Sequence, residues 1–295
     1  MDQDKKITRI TQASNRLIGL LALFLLAACS SAPKRPAEVR SIRNMAETQL
    51  EMVNREADRG NYEEALRLLG EARRLALQTD NPSLLIRTEL AQGNVFFSLG
   101  RHEEAAEVWN SALSEAEQTG EKELVAITRI YMARRRLLLE GAPAAAAVKT
   151  AVTGEMAVLK SDQLNRALGW TIMGLAEKEL RRWTEAEQAL KQALSIHEQG
   201  NYLEQAAYDW YLIASIRSMA GHYDAALEAL EQARAFDRRV ENTHGLGMDW
   251  RALGDVYKKM GRKAEGDAAY RRAADIFRSI DLEKEALEVE ARGRN

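Results

Sequence analysis

Trp250-Arg251-Ala252-Leu253-Gly254-Asp255-Val256-Tyr257 is followed by a break at Gly261 and then by Gly266, Tyr270 and Ala273. On a helix Trp250, Leu253, Gly254 and Tyr257 fall at i, i+3, i+4 and i+7, so they share one face. Gly266, Tyr270 and Ala273 mark the narrow stripe of a second helix. A pair this small cannot bury its apolar faces alone, so the pattern should recur. It does, every 40 residues with one step of 41. The break steps through Gly60, Gly100, Gly141, Arg181, Gly221 and Gly261. The first small residue beyond it is Ala65, Ala105, Ala146, Ala186, Ala226 and Gly266. The bulky position reads Leu69, Trp109, Thr150, Leu190, Leu230 and Tyr270, and the second small one Ala72, Ala112, Thr153, Ala193, Ala233 and Ala273. Six helical hairpins are expected, the third degenerate because Thr150 and Thr153 replace the usual residues.

The chain has 295 residues, 46% of them apolar, with only 4 Pro and no run of alternating polar and β-branched residues, which predicts an all-α fold. A fixed period favours one elongated array over separate globular domains. Net charge is −2, and residues 1–28 carry +2 of it, leaving −4 on the rest. Such a body does not seek phosphate backbones by charge, so no nucleic-acid partner is expected. Arg134-Arg135-Arg136 is the densest basic run, but successive helical positions point in different directions and at most two can share a surface.

The N-terminus follows another logic. Met1 to Arg16 is polar and basic, Leu17 to Ala28 is apolar or small, and the chain's single cysteine, Cys29, comes next. That apolar run is shorter than the roughly 20 residues a bilayer crossing needs but suits a secretory leader. Leu26-Ala27-Ala28-Cys29 resembles a bacterial lipobox. The resemblance implies cleavage before Cys29, a diacylglycerol thioether on its sulfur and acylation of the new amine, with palmitate-type chains as the anchor. Ser30 in place of Asp implies, by the same resemblance, an outer-membrane lipoprotein facing the periplasm. The expected division is a signal peptide over 1–28, a lipidated Cys29 and extended tether over 29–40, and the helical array over 41–295. Asn81-Pro82 reads as an N-cap with proline in the first helical position, and residues 282–292 as a final solvating helix.

Trp250-x-x-Leu253-Gly254-x-x-Tyr257 matches the first-helix signature of tetratricopeptide repeats, and Trp170-x-x-Met173-Gly174 matches most of it. With the small-bulky-small stripe that follows, residues 42–285 resemble a tetratricopeptide protein whose repeat is longer than the usual 34 or so residues. The resemblance implies a right-handed α-solenoid of six hairpins with a C-terminal capping helix, whose first helices line a concave groove. Carried onto this chain, it places Arg87, Asn94 and Phe97 in the groove from the second unit, and Tyr131 and Arg135 from the third. Leu168 and Lys178 come from the fourth, Tyr208 and Tyr211 from the fifth, and Arg251 from the sixth. Asn54 and Asn94 fit a carboxylate-clamp arrangement, but the matching lysines are missing.

No catalytic constellation is evident. The histidines at 102, 197, 222 and 244 are scattered among units, no second cysteine can complete a metal site, and no phosphate loop or nucleophile elbow occurs. No cofactor and no metal are expected. The leading expectation is a non-enzymatic, lipid-anchored adaptor that holds a protein or peptide partner in its groove during envelope or pilus assembly. A small-ligand-binding accessory lipoprotein of a periplasmic transport system, or a peptide-responsive sensor, are the alternatives.

Overall fold

The computed structural model describes residues 41–294; the expected leader, Cys29 and the tether over 29–40 lie outside them. Thirteen helices and no strand occur among the described residues. They form six hairpins: α1 (Ile42–Asp58) with α2 (Tyr62–Gln78), α3 (Pro82–Ser98) with α4 (His102–Thr119), and α5 (Lys122–Glu140) with α6 (Ala142–Met156). Next come α7 (Gln163–Glu179) with α8 (Trp183–Gln199), α9 (Leu203–Met219) with α10 (Tyr223–Arg239), and α11 (Thr243–Lys259) with α12 (Lys263–Arg278). Helix α13 (Glu283–Arg294) ends the array. Contacts run between sequence neighbours, and α1 with α3, α3 with α5, α5 with α7 and α9 with α11 also touch, so the first helices form an inner layer.

The breaks work as the spacing predicts. Gly60, Gly100, Gly141, Arg181, Gly221 and Gly261 all have positive φ, which turns the chain after each first helix. Asp80, Gly120, Asn201, Glu241 and Asp281 do the same at the joints between hairpins. Asn81 caps α3 by accepting from the Leu84 amide at 3.2 Å, with Pro82 in the first turn. Small residues let the paired helices approach closely: a Cβ at Gly254 would stand 2.4 Å from the Tyr270 ring, and one at Gly174 2.7 Å from Leu190. Ala65, Ala105, Ala186 and Ala226 are wholly buried, as are Leu190 and Leu230. Each large side chain so buried contributes about 1.5–3 kcal/mol. At the far end Ala286 and Val289 of α13 cover Tyr270, Ala273 and Phe277, hiding the apolar face that a last hairpin would leave bare.

The third hairpin corrects the register expected from sequence. Its buried residues are Ala144, Ala145, Val148 and Val152, whereas Thr150 and Thr153 are exposed and bond back to their own helix at the carbonyls of Ala146 and Lys149. A strict step of 40 from Ala105 and Ala112 lands on Ala145 and Val152, both fully buried. The extra residue therefore lies in the joint 157–162 between α6 and α7, not ahead of α6. Gly141 misleads because α5 runs to Glu140 and α6 begins at Ala142, leaving one residue for the turn where the other hairpins have more.

The superhelix also closes on itself. Gln205 at the start of α9 donates to Asp58 at the end of α1 at 2.6 Å. Arg59 donates to the carbonyl of Val240 at 3.0 Å and pairs with Glu204 at 3.7 Å. The His244 ring lies against Gly60, 3.2 Å from where a Cβ would stand. The first hairpin thus touches the fifth and the start of the sixth.

Candidate functional site: an enclosed channel

Closure turns the concave wall into a channel lined by first helices. Arg134 on α5 donates through Nη2 to Asn94 Oδ1 on α3 at 3.2 Å, and its guanidinium lies 4.1 Å from the Phe97 ring centroid and 5.8 Å from that of Tyr131. The Tyr131 hydroxyl donates to Asn165 Oδ1 on α7 at 3.3 Å. On α9, Tyr208 and Tyr211 stack with centroids 6.2 Å apart and planes 13° apart. Arg251 on α11 donates to the Tyr211 hydroxyl at 3.3 Å. Phe97 and Tyr131 in turn pack on the buried Trp109, at 5.8 and 5.7 Å between centroids.

These groups lie within electrostatic range of one another. Tyr208 is 51% exposed and Asp58 is also exposed, and neighbouring protein nonetheless raises the pKa of both. The surrounding protein, aided by Glu204, pushes the Asp58 carboxyl up to about 7, against the pull of Arg134, Gln205 and His197. The same enclosure lowers the Arg134 guanidinium and raises the hydroxyls of Tyr131 and Tyr208. Arg134 feels Asp58 and Tyr208 across the lumen, so α1, α5 and α9 face one another there.

Of the residues placed in the groove from sequence, Asn94, Phe97, Tyr131, Tyr208, Tyr211 and Arg251 lie in this network. Arg135 does not. Its Nε donates to the His102 carbonyl at 2.9 Å and its Nη2 pairs with Glu103 at 2.7 Å, tying α5 to the start of α4. The cause is the register of the third hairpin. Forty residues beyond Asn94 stands Arg134, and counting back from Gly141 displaces the choice by one residue, or about 100° on a helix. Arg87 is exposed and joins none of these contacts, Leu168 packs on the core, and Lys178 pairs with Glu179 at 3.7 Å. Asn54 is exposed on α1. Arg134, Asn165, Asp58 and Gln205 were not anticipated. The strict 40-residue count marks the first, but only the closed superhelix brings in Asp58 and Gln205.

A cavity of about 250 Å³ lies elsewhere, lined by Trp183, Glu187, Lys191, Arg217 and His222. Its charges are already matched, with Glu187 paired to Arg217 at 2.9 Å and to Lys191 at 2.8 Å. Among the described residues no group of three or more His, Cys, Asp or Glu could hold a metal, and no helix is long and apolar enough to cross a membrane.

A family model described as tetratricopeptide repeat matches residues 250–279, the hairpin of α11 and α12. No curated protein matches the chain. Among solved structures it is similar to a Rap protein complexed with competence and sporulation factor, with a TM-score of 0.59 at 16% identity over 83% of this chain and 69% of that one. The apo form of RapI gives 0.56 at 14% identity over 84% and 70%, and the APC/C hetero-tetramer Cut9-Hcn1 gives 0.55 at 14% identity over 85% and 43%. At these identities the likeness is one of fold: the chain is an all-α solenoid of tetratricopeptide-like hairpins.

Proposed function

We propose that this chain is a non-enzymatic scaffold that takes a peptide, or an extended segment of a protein, into the channel between its first helices. The observation that carries the reading is that Asn94, Phe97, Tyr131 and Arg134 form one cluster on the first helices and Tyr208, Tyr211 and Arg251 a second, with Tyr208 in electrostatic range of Arg134. Aromatic and Arg side chains are the ones that anchor partners most strongly, and amides along such a wall can bond an extended backbone. The similar Rap structure is described as a complex with a named factor, which is in keeping with an occupied array. With a lipobox-like leader ahead of the array, the reading includes a lipid anchor at Cys29, an outer-membrane position facing the periplasm, and a partner of the envelope or of pilus assembly.

A photo-crosslinking amino acid at Tyr208 tests the channel against the outer face, sampled at Glu228. A discrete adduct from Tyr208 and none from Glu228 is the expected result. Adducts from Glu228 alone, or from neither, refute the channel as the binding surface.

A further inference from the structure

Every joint between successive hairpins is held by apolar side chains. Across the first joint Leu75 and Leu84 lie in one buried cluster, across the second Ala116 and Leu124, and across the third Val152 and Ile172. Leu194 and Ala206 do the same across the fourth, and Leu230 and Leu253 across the fifth. The seam that closes the superhelix is built otherwise. Among the described residues the cluster holding the first hairpin reaches no further than Val95, so no apolar core joins that hairpin to α9, α10 or α11. The bonds that cross the seam are polar: Gln205 to Asp58 at 2.6 Å, Arg59 to the Val240 carbonyl at 3.0 Å, and Arg59 to Glu204 at 3.7 Å. Parting an apolar joint exposes surface that water disfavours. Hydrogen bonds given up to water cost little net, and a partly exposed ion pair costs less still. The seam is the weakest link of the ring.

We infer that this seam is a clasp: it opens while the joints between hairpins stay packed, and it admits an extended chain to the channel from the side. Side entry matters because a segment within a folded protein has no free end to thread. Small rotations shared among the joints are enough to part the seam, so no joint has to lose its core. Opening is a property of the chain itself; the side entrance rests on the reading of the channel as a peptide site.

Single-molecule energy transfer on the full chain reads the opening, with dyes carried by p-acetylphenylalanine at the exposed Arg55 and Arg239, on the two sides of the seam. A closed majority and an open minority are expected, whereas the control pair Glu115 and Thr153, on the second and third hairpins, gives one state. Arg59→Ala with Gln205→Ala should raise the ratio of open to closed roughly 10-fold and leave the control pair unchanged. A Cβ on Gly60 would stand 3.5 Å from that of His244, within disulfide range. Gly60→Cys with His244→Cys, in a Cys29→Ser background, should therefore lose the open state on oxidation and regain it on reduction. Should the positive φ of Gly60 keep that variant from folding, the alanine pair decides alone. A single state in the unaltered chain that the alanine pair does not move overturns the clasp, as does a control pair that separates as widely as the seam. Photo-crosslinking from Tyr208 in envelope extract tests the entrance, and adducts lost on oxidation and recovered on reduction support it. Equal adducts from the oxidised chain overturn side entry and leave the channel reading standing. No adduct in either state removes the channel reading and the entrance with it, while the energy transfer still decides the clasp.

Discussion

Gln205 Nε2 donates to Asp58 Oδ2 across 2.6 Å although 147 residues separate them, which makes the carboxyl of Asp58 part of the seam that closes the superhelix. Its pKa is pushed up to about 7 by the surrounding protein first and by Glu204 second. In an opened array water would return it toward about 4. The closed form therefore holds the proton more tightly. This contribution to closure is complete below about pH 4, declines as pH rises and is lost above about 7. Small-angle scattering between about pH 5 and pH 9 should show the chain expanding, and Asp58→Asn, which keeps an oxygen for Gln205, should abolish the dependence. An unchanged radius of gyration in the parent chain would refute this.

A second pH effect belongs to the wall. Asp249 and Asp237, both buried, face each other, with Asn242 donating to Asp237 at 2.8 Å. Burial and then mutual repulsion push Asp249 well above the usual carboxylate range, and burial raises Asp237 as well. Forty residues earlier the same two positions hold His197 and Asp209, bonded at 2.6 Å. Stability from the protonated pair is full below about pH 4, the ordinary carboxylate range, and is lost progressively as pH rises through the raised values. Thermal melts should show Asp249→Asn flattening that decline and stabilising the chain at alkaline pH. A parent chain equally stable across the range would contradict the shared proton.

Register in the third hairpin can be read by paired truncations. Val152 is fully buried and Thr153 exposed. Val152→Ala should cost roughly 1–3 kcal/mol in denaturant unfolding, and Thr153→Ala less than about 0.5 kcal/mol. The reverse order would restore the register in which the extra residue precedes α6.

Close helix approach sets a limit on size at the small positions. Ala193, wholly buried in α8, should not accept leucine without a loss of about 1–3 kcal/mol and a lower melting temperature. No change on Ala193→Leu would mean that the hairpins pack more loosely than described.

The anchor is tested apart from the fold. Cys29→Ala should leave the chain unprocessed or release it from membranes in fractionation. Unchanged mass and membrane association would remove the lipoprotein reading without touching the channel.

The repeat itself was legible because its signal is local and redundant. Positive-φ breaks, small crossing residues and bulky fillers recur at one spacing, and each hairpin needs only its neighbours to bury its faces. Most of the channel wall was legible too, since a residue's place on a first helix follows from its position in the repeat. A single displaced residue was enough to exchange Arg134 for Arg135, because the turn at Gly141 falls one residue later than a strict 40-residue count and a helix rotates about 100° per residue. Closure was not legible at all. Whether Asp58 meets Gln205, and Arg59 the carbonyl of Val240, depends on small rotations between hairpins summed over four joints, and no local pattern encodes that sum. Sequence alone determined what each hairpin is and which side faces inward; tertiary structure decided that the inward side encloses a channel, and which contacts close it.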